Sequence, residues 1–401
     1  MRARITTFRC DITPPVGHPL CALDFAELSN HDYLRWREEL ATAVKTSADR
    51  VAVHCVHPHD TPWPDREAQD ILDAHGHPNV ILAGRWSESI RARVAETAAE
   101  AVPNMQPCSE VAVGDTRVDR IASNRRVLGD DGRVRAVRTT ATRDPEVRAA
   151  PIGLIDPILR SIAFLHNGQK LAVLHYYTVH PTSYDRTGEV TPDFAGLARD
   201  ERIREDNGVP HLYFTGCAGN ITAGKFNDGN HRNRAIFKRR ILSAMRSAEK
   251  NARRLTLDRW RWVVDPIHLP PREDLNEKDL LARLAGPGSD KRKSKAALML
   301  TYLRRWEKLA IPVSCLHLND DVAILNLPGE AFVEYQLFAQ DQRPNAFVAT
   351  AAYGDLGPGY ITMKHSFEEG GYEPTDAFVS GRSEAILKEA IANVLAIPDT
   401  Y

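Results

Sequence analysis

Two periodicities alternate along this chain. Runs of β-branched and aromatic residues, of strand length, are followed by segments whose apolar positions recur every three to four residues, as on one face of a helix. That alternation predicts an α/β fold: a mixed β-sheet core flanked by helices. Four strand-like runs share a layout. Val51-Ala-Val-His-Cys-Val leads into His57-Pro-His59-Asp60, Leu171-Ala-Val-Leu-His-Tyr-Tyr-Thr-Val into His180, Val322-Ala-Ile-Leu-Asn-Leu into Pro328-Gly-Glu330, and Phe347-Val-Ala-Thr-Ala-Ala-Tyr through a glycine-rich turn into Tyr360. Helices are predicted over 32–48 and 87–102, the second with Ser87 as N-cap, and another opening at Asp193. Residues 107–143 read as β-rich, with a hairpin turn at Asp130-Asp-Gly132. Charged helical stretches follow at about 231–253 and 272–309, the latter a helical hairpin broken at Gly286-Pro-Gly288. Its lysines and arginines predict an exposed insertion, suited to a lid or a contact in a homo-oligomer. No Pro/Ser linker divides the chain, so residues 1–401 are expected to form one catalytic domain.

Charge changes this picture little. The 52 lysines and arginines nearly cancel 53 aspartates and glutamates, so no global field favours nucleic acid or an anionic membrane. The basic run Phe237-Lys-Arg-Arg-Ile fits a solvated helix face. Six scattered cysteines without a CxxC pair argue against a disulfide scaffold and for buried, reduced thiols. The N-terminus lacks a signal-peptide stretch, and no window approaches the ~20 apolar residues of a membrane span. A cytoplasmic protein is expected.

The strand ends carry the candidate chemistry. In open α/β sheets ligands bind beyond the carboxyl ends of strands, and two histidines plus a carboxylate form the ligand set of a catalytic zinc. A strand's side chains alternate faces, so His57 and His59, two apart, can both face one cavity. One would bind metal and the other act on substrate or water, although HxH equally suits a pair of surface histidines. His180 competes with His166 and His175, and His57 with His54; a histidine after a buried strand is often a satisfied core residue. Glu330 also suits a helix N-terminus. The loop Thr215–Gly224, with three glycines, would either expose amides to a ligand or make a tight connection. Asn220-Ile-Thr222 matches a glycosylation acceptor, a match of no weight without a signal peptide.

Taken in order, these segments resemble the neutral, non-lysosomal ceramidase family. Asp11-Ile-Thr-Pro-Pro-Val-Gly17 is similar to its opening. His57-Pro-His59-Asp-Thr-Pro62 resembles its HTHSGP motif, and Asn124-Arg125 its Asn-Arg-Ser-Pro segment, with Arg126-Val127 in place of Ser-Pro. His180-Pro-Thr-Ser183 with Asp193 and Gly196 resembles its second histidine motif, Cys217–Gly224 its NAGNLSPN loop, and Leu327-Pro-Gly-Glu330 its PGE motif. Tyr360 and Tyr372 keep its tyrosine spacing. The resemblance implies Zn2+ held by His57, His180, Glu330 and Tyr360, with His59, Arg125 and Tyr372 lining the substrate site. Thr222 stands where the family has serine, which puts that residue's role in question. The expected function is zinc-dependent hydrolysis of a carboxamide, on a small N-acyl compound as readily as on ceramide. A zinc esterase or lactonase, or a metal-free binding protein, are the alternatives. The chain ends soon after the last motif, so the family's C-terminal immunoglobulin-like domain is expected to be absent.

Overall fold

The computed structural model describes residues 3–7, 20–81, 85–187 and 189–397. The Asp11–Gly17 motif and Cys10 lie outside them. Two mixed sheets, where sequence analysis anticipated one, form the centre. The first orders its strands His211–Thr215, Gln169–Tyr177, Ile158–His166, Glu110–Arg117 and Arg253–Thr256. The second orders Trp260–Ile267, Ile311–Leu318, Val322–Asn326 and Phe347–Ala351. In each, one edge pair is parallel (Gln169–Tyr177 with His211–Thr215; Val322–Asn326 with Phe347–Ala351) and the rest antiparallel.

The strand pleat explains why the sheets stack. Val111, Val113, Ile162, Phe164, Leu174, Tyr176 and Phe214 of the first sheet pack on Leu316, Leu318, Val322, Ile324, Ala349 and Ala351 of the second. The alternate positions Ala112, Ala163, Leu165 and Val173 face the other way. Helices Asp193–Glu205 and Arg232–Lys250 cover the first sheet, and Val333–Gln342 and Ser383–Leu395 the second. The inner strands of each sheet are therefore buried on both faces, which is why those runs read as nearly continuous apolar segments, while the edge strands Arg253–Thr256 and Trp260–Ile267 stay partly exposed.

Local signals account for most boundaries. The helix expected over 32–48 forms as Asn30–Ala43, ended by Lys45 at φ 57°, where the Thr46 amide donates to Ala41 O. The helix Arg85–Ala101 includes Ser87 in its first turn, so Ser87 is not the N-cap, and its buried hydroxyl has no hydrogen-bond partner. The hairpin at 272–309 consists of helices Glu277–Ala285 and Asp290–Arg305. Its second helix is not the exposed insertion the charges suggested: Ala296, Ala297, Met299, Leu300 and Tyr302 are buried, and it packs on helix Arg66–Ala74. Asp290, Lys291, Arg292 and Arg304 lie on its exposed face, whereas Lys293 and Arg305 are themselves buried. Among the described residues, no helix is long and apolar enough to cross a membrane.

Candidate metal centre

The two sheets meet at one end, and that junction gathers the strand ends. Strand Ala52–Cys55, parallel to Leu20–Leu23, joins both: the Cys55 amide donates to Tyr353 O, and Thr215 Oγ1 to Val56 O. The Ala352 amide donates to Thr215 O. His54 is a rivet in this junction. Its Nδ1 donates to Ala352 O and its Nε2 accepts from the Thr215 amide, so neither ring nitrogen is left for a ligand.

His57, just beyond the strand, adopts φ 70°, a conformation costly for a non-glycine residue. That turn, not the strand pleat, aims the rings of His57 and His59 at one point, with centroids 5.2 Å apart. His57 is buried and His59 exposed. The His57 amide donates to Phe25 O and its Nδ1 to Ala26 O at 2.5 Å. His180 donates from Nδ1 to Ala218 O at 2.7 Å. Both rings thereby turn Nε2 inward. Glu330 Oε2 lies 2.9 Å from Nε2 of His180 and 3.6 Å from Nε2 of His57, yet this buried oxygen has no hydrogen-bond partner. His57, His59 and His180 each bring a ring nitrogen within 4.8 Å of the others. Burial, foremost, lowers the His57 pKa to about 3 and that of His180 well below its ordinary value, so both are neutral, the form that binds metal. Bare imidazole nitrogens around an unpartnered carboxylate oxygen fit a cation.

Tyr360 joins through the backbone. Strands Glu330–Ala331 and Tyr360–Ile361 pair in parallel with Glu330 opposite Tyr360. Its hydroxyl accepts from Arg125 Nη1 at 3.2 Å and lies 3.3 Å from the Tyr372 hydroxyl. Burial, then the Glu330 carboxylate, push its phenol up, and Arg125 opposes them. The Arg125 guanidinium also sits 5.3 Å from the centre of the Tyr372 ring. Burial and then Glu330 and Asp65 raise Glu27 to about 8, so carboxyl groups gather at this junction, where Arg125 also acts on Glu330.

Other expectations are redirected. The Thr222 hydroxyl donates to Thr139 O at 3.0 Å and accepts from the Gly224 amide. The loop amides of Gly216, Cys217, Gly219 and Ile221 all find partners within the protein, so this is a tight connection and not an anion cradle. Asn220 is buried, bonded to Glu334 and the Val333 amide. His166 caps an outer strand end, bonding Ser109. His175 belongs to a separate buried chain: Ser161 Oγ to His175 Nδ1, His175 Nε2 to His211 Nδ1, His211 Nε2 to Asp206, each between 2.8 and 3.1 Å. Glu249 lies near this second histidine cluster, but Lys170 and Arg202 already occupy its oxygens. Sequence reasoning missed Tyr353, which stacks on His57 at 4.5 Å with its hydroxyl 3.5 Å from His180 Nδ1. It also missed Asp185, 3.8 Å from His59 Nδ1. Only the Tyr353-Gly354 pair at a strand end hinted at the first, and nothing local at the second.

Neither a family model nor a curated protein matches the sequence. Solved structures do match. A ceramidase complexed with C2 superposes with a TM-score of 0.65 at 14% identity, over 95% of this chain and 68% of that chain. Neutral ceramidase from Pseudomonas aeruginosa does so with a TM-score of 0.65 at 15% identity, over 95% of this chain and 67% of that chain. The likeness first read from scattered motifs therefore extends to the backbone, and the chain has the fold of the neutral ceramidases.

Proposed function

We propose that the protein is a zinc-dependent hydrolase that cleaves the carboxamide bond of a small N-acyl compound, within a single catalytic domain. The observation that carries this reading is the convergence of His57 Nε2, His180 Nε2 and the unpartnered Glu330 Oε2 at one buried point. These three, with Tyr360, would hold the metal. Zinc there supplies a Lewis acid and lowers the pKa of a bound water from 15.7 to about 7. The chain's own groups do the rest. His59, partly exposed beside Asp185, would take a proton at a ring nitrogen and return it to the leaving amine. Arg125 and Tyr372 donate hydrogen bonds toward charge developing on the carbonyl oxygen. Arg125 also favours ionisation of Tyr360. Thr222 is bound to Thr139 O and serves the loop that holds Ala218 and Ile221 against His180.

A polar substrate is favoured by the mouth of the site. His59 is flanked by Asp185 and the exposed Arg186, whose amide, with Thr187, binds Asp60. Among the described residues the large exposed hydrophobics are six, Trp86, Leu128, Leu154, Val190, Trp260 and Phe367, spread along the chain, a sparse set for docking on a lipid surface. The five described cysteines, all buried and free, suit a reducing, cytoplasmic setting.

The test pairs metal analysis with a hydrolysis screen over N-acyl amino acids, N-acyl amines and ceramides. We expect about one zinc per chain, and cleavage of N-acyl amino acids or amines that chelation abolishes and zinc restores. Zinc-loaded protein that cleaves none of them, or cleavage indifferent to chelation, would overturn the reading.

A further inference from the structure

The roles above leave one buried guanidinium beside the site unused. Arg126 stands where the resembled motif has serine. Its side chain is 5% exposed. Nη1 donates to Glu373 Oε2 at 2.9 Å, and Nη2 to Glu369 Oε2 at 3.0 Å and Gly370 O at 2.8 Å. Glu373 is fully buried, and its other oxygen has no partner. The turn wraps this ion pair closely. Gly371 is at φ 91°, and a Cβ there would lie 2.8 Å from Arg126 Nη1 and 2.9 Å from Glu373 Oε2.

The residue between these anchors is Tyr372. Its flanks, Glu369-Gly370 and Glu373, are both gripped by the one guanidinium, while its hydroxyl meets Tyr360 and its ring covers Arg125. We propose that Arg126 is a positioning residue that fixes Tyr372 against Tyr360 and Arg125 by clamping both sides of the turn that carries it. This rests on the hydrolase reading, in which Tyr372 touches the substrate. An ion pair serving stability alone would need only Glu373; contacts to Glu369 and to the Gly370 carbonyl fix the direction of the turn. Lysine cannot reproduce them, because its ammonium is a point charge and not a planar fork.

A double-mutant cycle tests it. Arg126→Lys, Tyr372→Phe and the double variant are compared on the N-acyl compound that the wild-type protein cleaves fastest, with zinc content measured alongside. Displacing a group by about 1 Å can lower a rate about 100-fold. We expect Arg126→Lys to lower kcat about 10- to 100-fold with KM and zinc content little changed. In the Tyr372→Phe background the same change should cost less than about 3-fold, because coupled sites are not additive. Losses that multiply in full would show Arg126 acting independently of Tyr372 and overturn the assignment. Should Arg126→Lys fold poorly, Arg126→Met with Glu373→Leu removes both charges together and leaves no unpaired buried carboxylate. It should show the same kcat defect, and wild-type kcat in it would equally refute the clamp. Amide hydrogen exchange separates this inference from the hydrolase reading, since it needs no substrate. Exchange over 367–373 should quicken in Arg126→Lys while strand Gln169–Tyr177 stays protected. Unchanged protection over 367–373 sinks the clamp even if the enzyme is active, whereas faster exchange in a protein that cleaves nothing sustains the clamp and removes the hydrolase.

Discussion

His57 and Tyr353 stack on each other, and both adopt positive φ, 70° and 59°. Neither is glycine or asparagine, so each costs on the order of 1 kcal/mol or more. The surrounding bonds over-determine them: the His57 amide to Phe25 O, its ring to Ala26 O, the Tyr353 amide to Gly329 O. Strain held at two touching residues beside an unpartnered carboxylate marks a built site. The histidines divide by what their ring nitrogens already do. His54 and His175 spend both on protein partners, whereas His57 and His180 spend one on a carbonyl and aim the other inward. His57→Ala should lower zinc affinity by more than the 10- to 100-fold typical of losing an outer-shell partner. His54→Ala should lower stability and leave zinc affinity within that range. Competition with a chromophoric chelator measures both, and equal zinc affinity in wild type and His57→Ala would remove His57 from the ligand set.

Short parallel ladders between segments far apart in the chain make the site. Glu330–Ala331 against Tyr360–Ile361 brings a carboxylate beside a phenol, and the loop 216–224 backs onto the same strand. Gly219 explains why that loop is glycine-rich. A Cβ there would sit 2.2 Å from Glu330 O, a backbone atom that cannot move aside without shifting the carboxylate. Gly219→Ala should therefore cost about 1–3 kcal/mol in urea unfolding, the range for overpacking. It should also weaken zinc binding, because Glu330 moves with its carbonyl. Wild-type stability together with wild-type zinc affinity would show that the contact is not what the loop requires. The sequence pattern marked the glycines correctly as a constraint but left their purpose open, since a close backbone approach and an anion cradle call for the same residue.

Across the whole molecule, two sheets between helices bury groups that would otherwise titrate. Among the described residues, burial lowers six histidines, His54, His57, His175, His180, His211 and His317, with His54 at about 3. Each keeps its stabilising neutrality above the unfolded value of ~6.5 and loses stability as pH falls below it, by about 1.4 kcal/mol per pH unit. Glu27, Asp65 and Glu334 are raised and act in the opposite sense, but they are fewer. Metal-stripped protein should therefore lose stability between pH 6.5 and 5, and His54→Asn should flatten that slope. A urea midpoint unchanged from pH 7.5 to 5 would contradict the neutral core. Periodicity by itself determined that the chain is α/β, where the strands leading to the site and several helices run, and that polar residues with ligand chemistry follow those strands, because burial and pleat are written locally in residue order. Tertiary structure alone decided that there are two stacked sheets, that the charged hairpin is packed, which histidines keep a free nitrogen, and that Tyr353 and Asp185 join them. Those outcomes depend on carbonyls and carboxylates brought from distant segments, as Ala218 is to His180 and Ala352 to His54. No local pattern specifies which partner a side chain will meet.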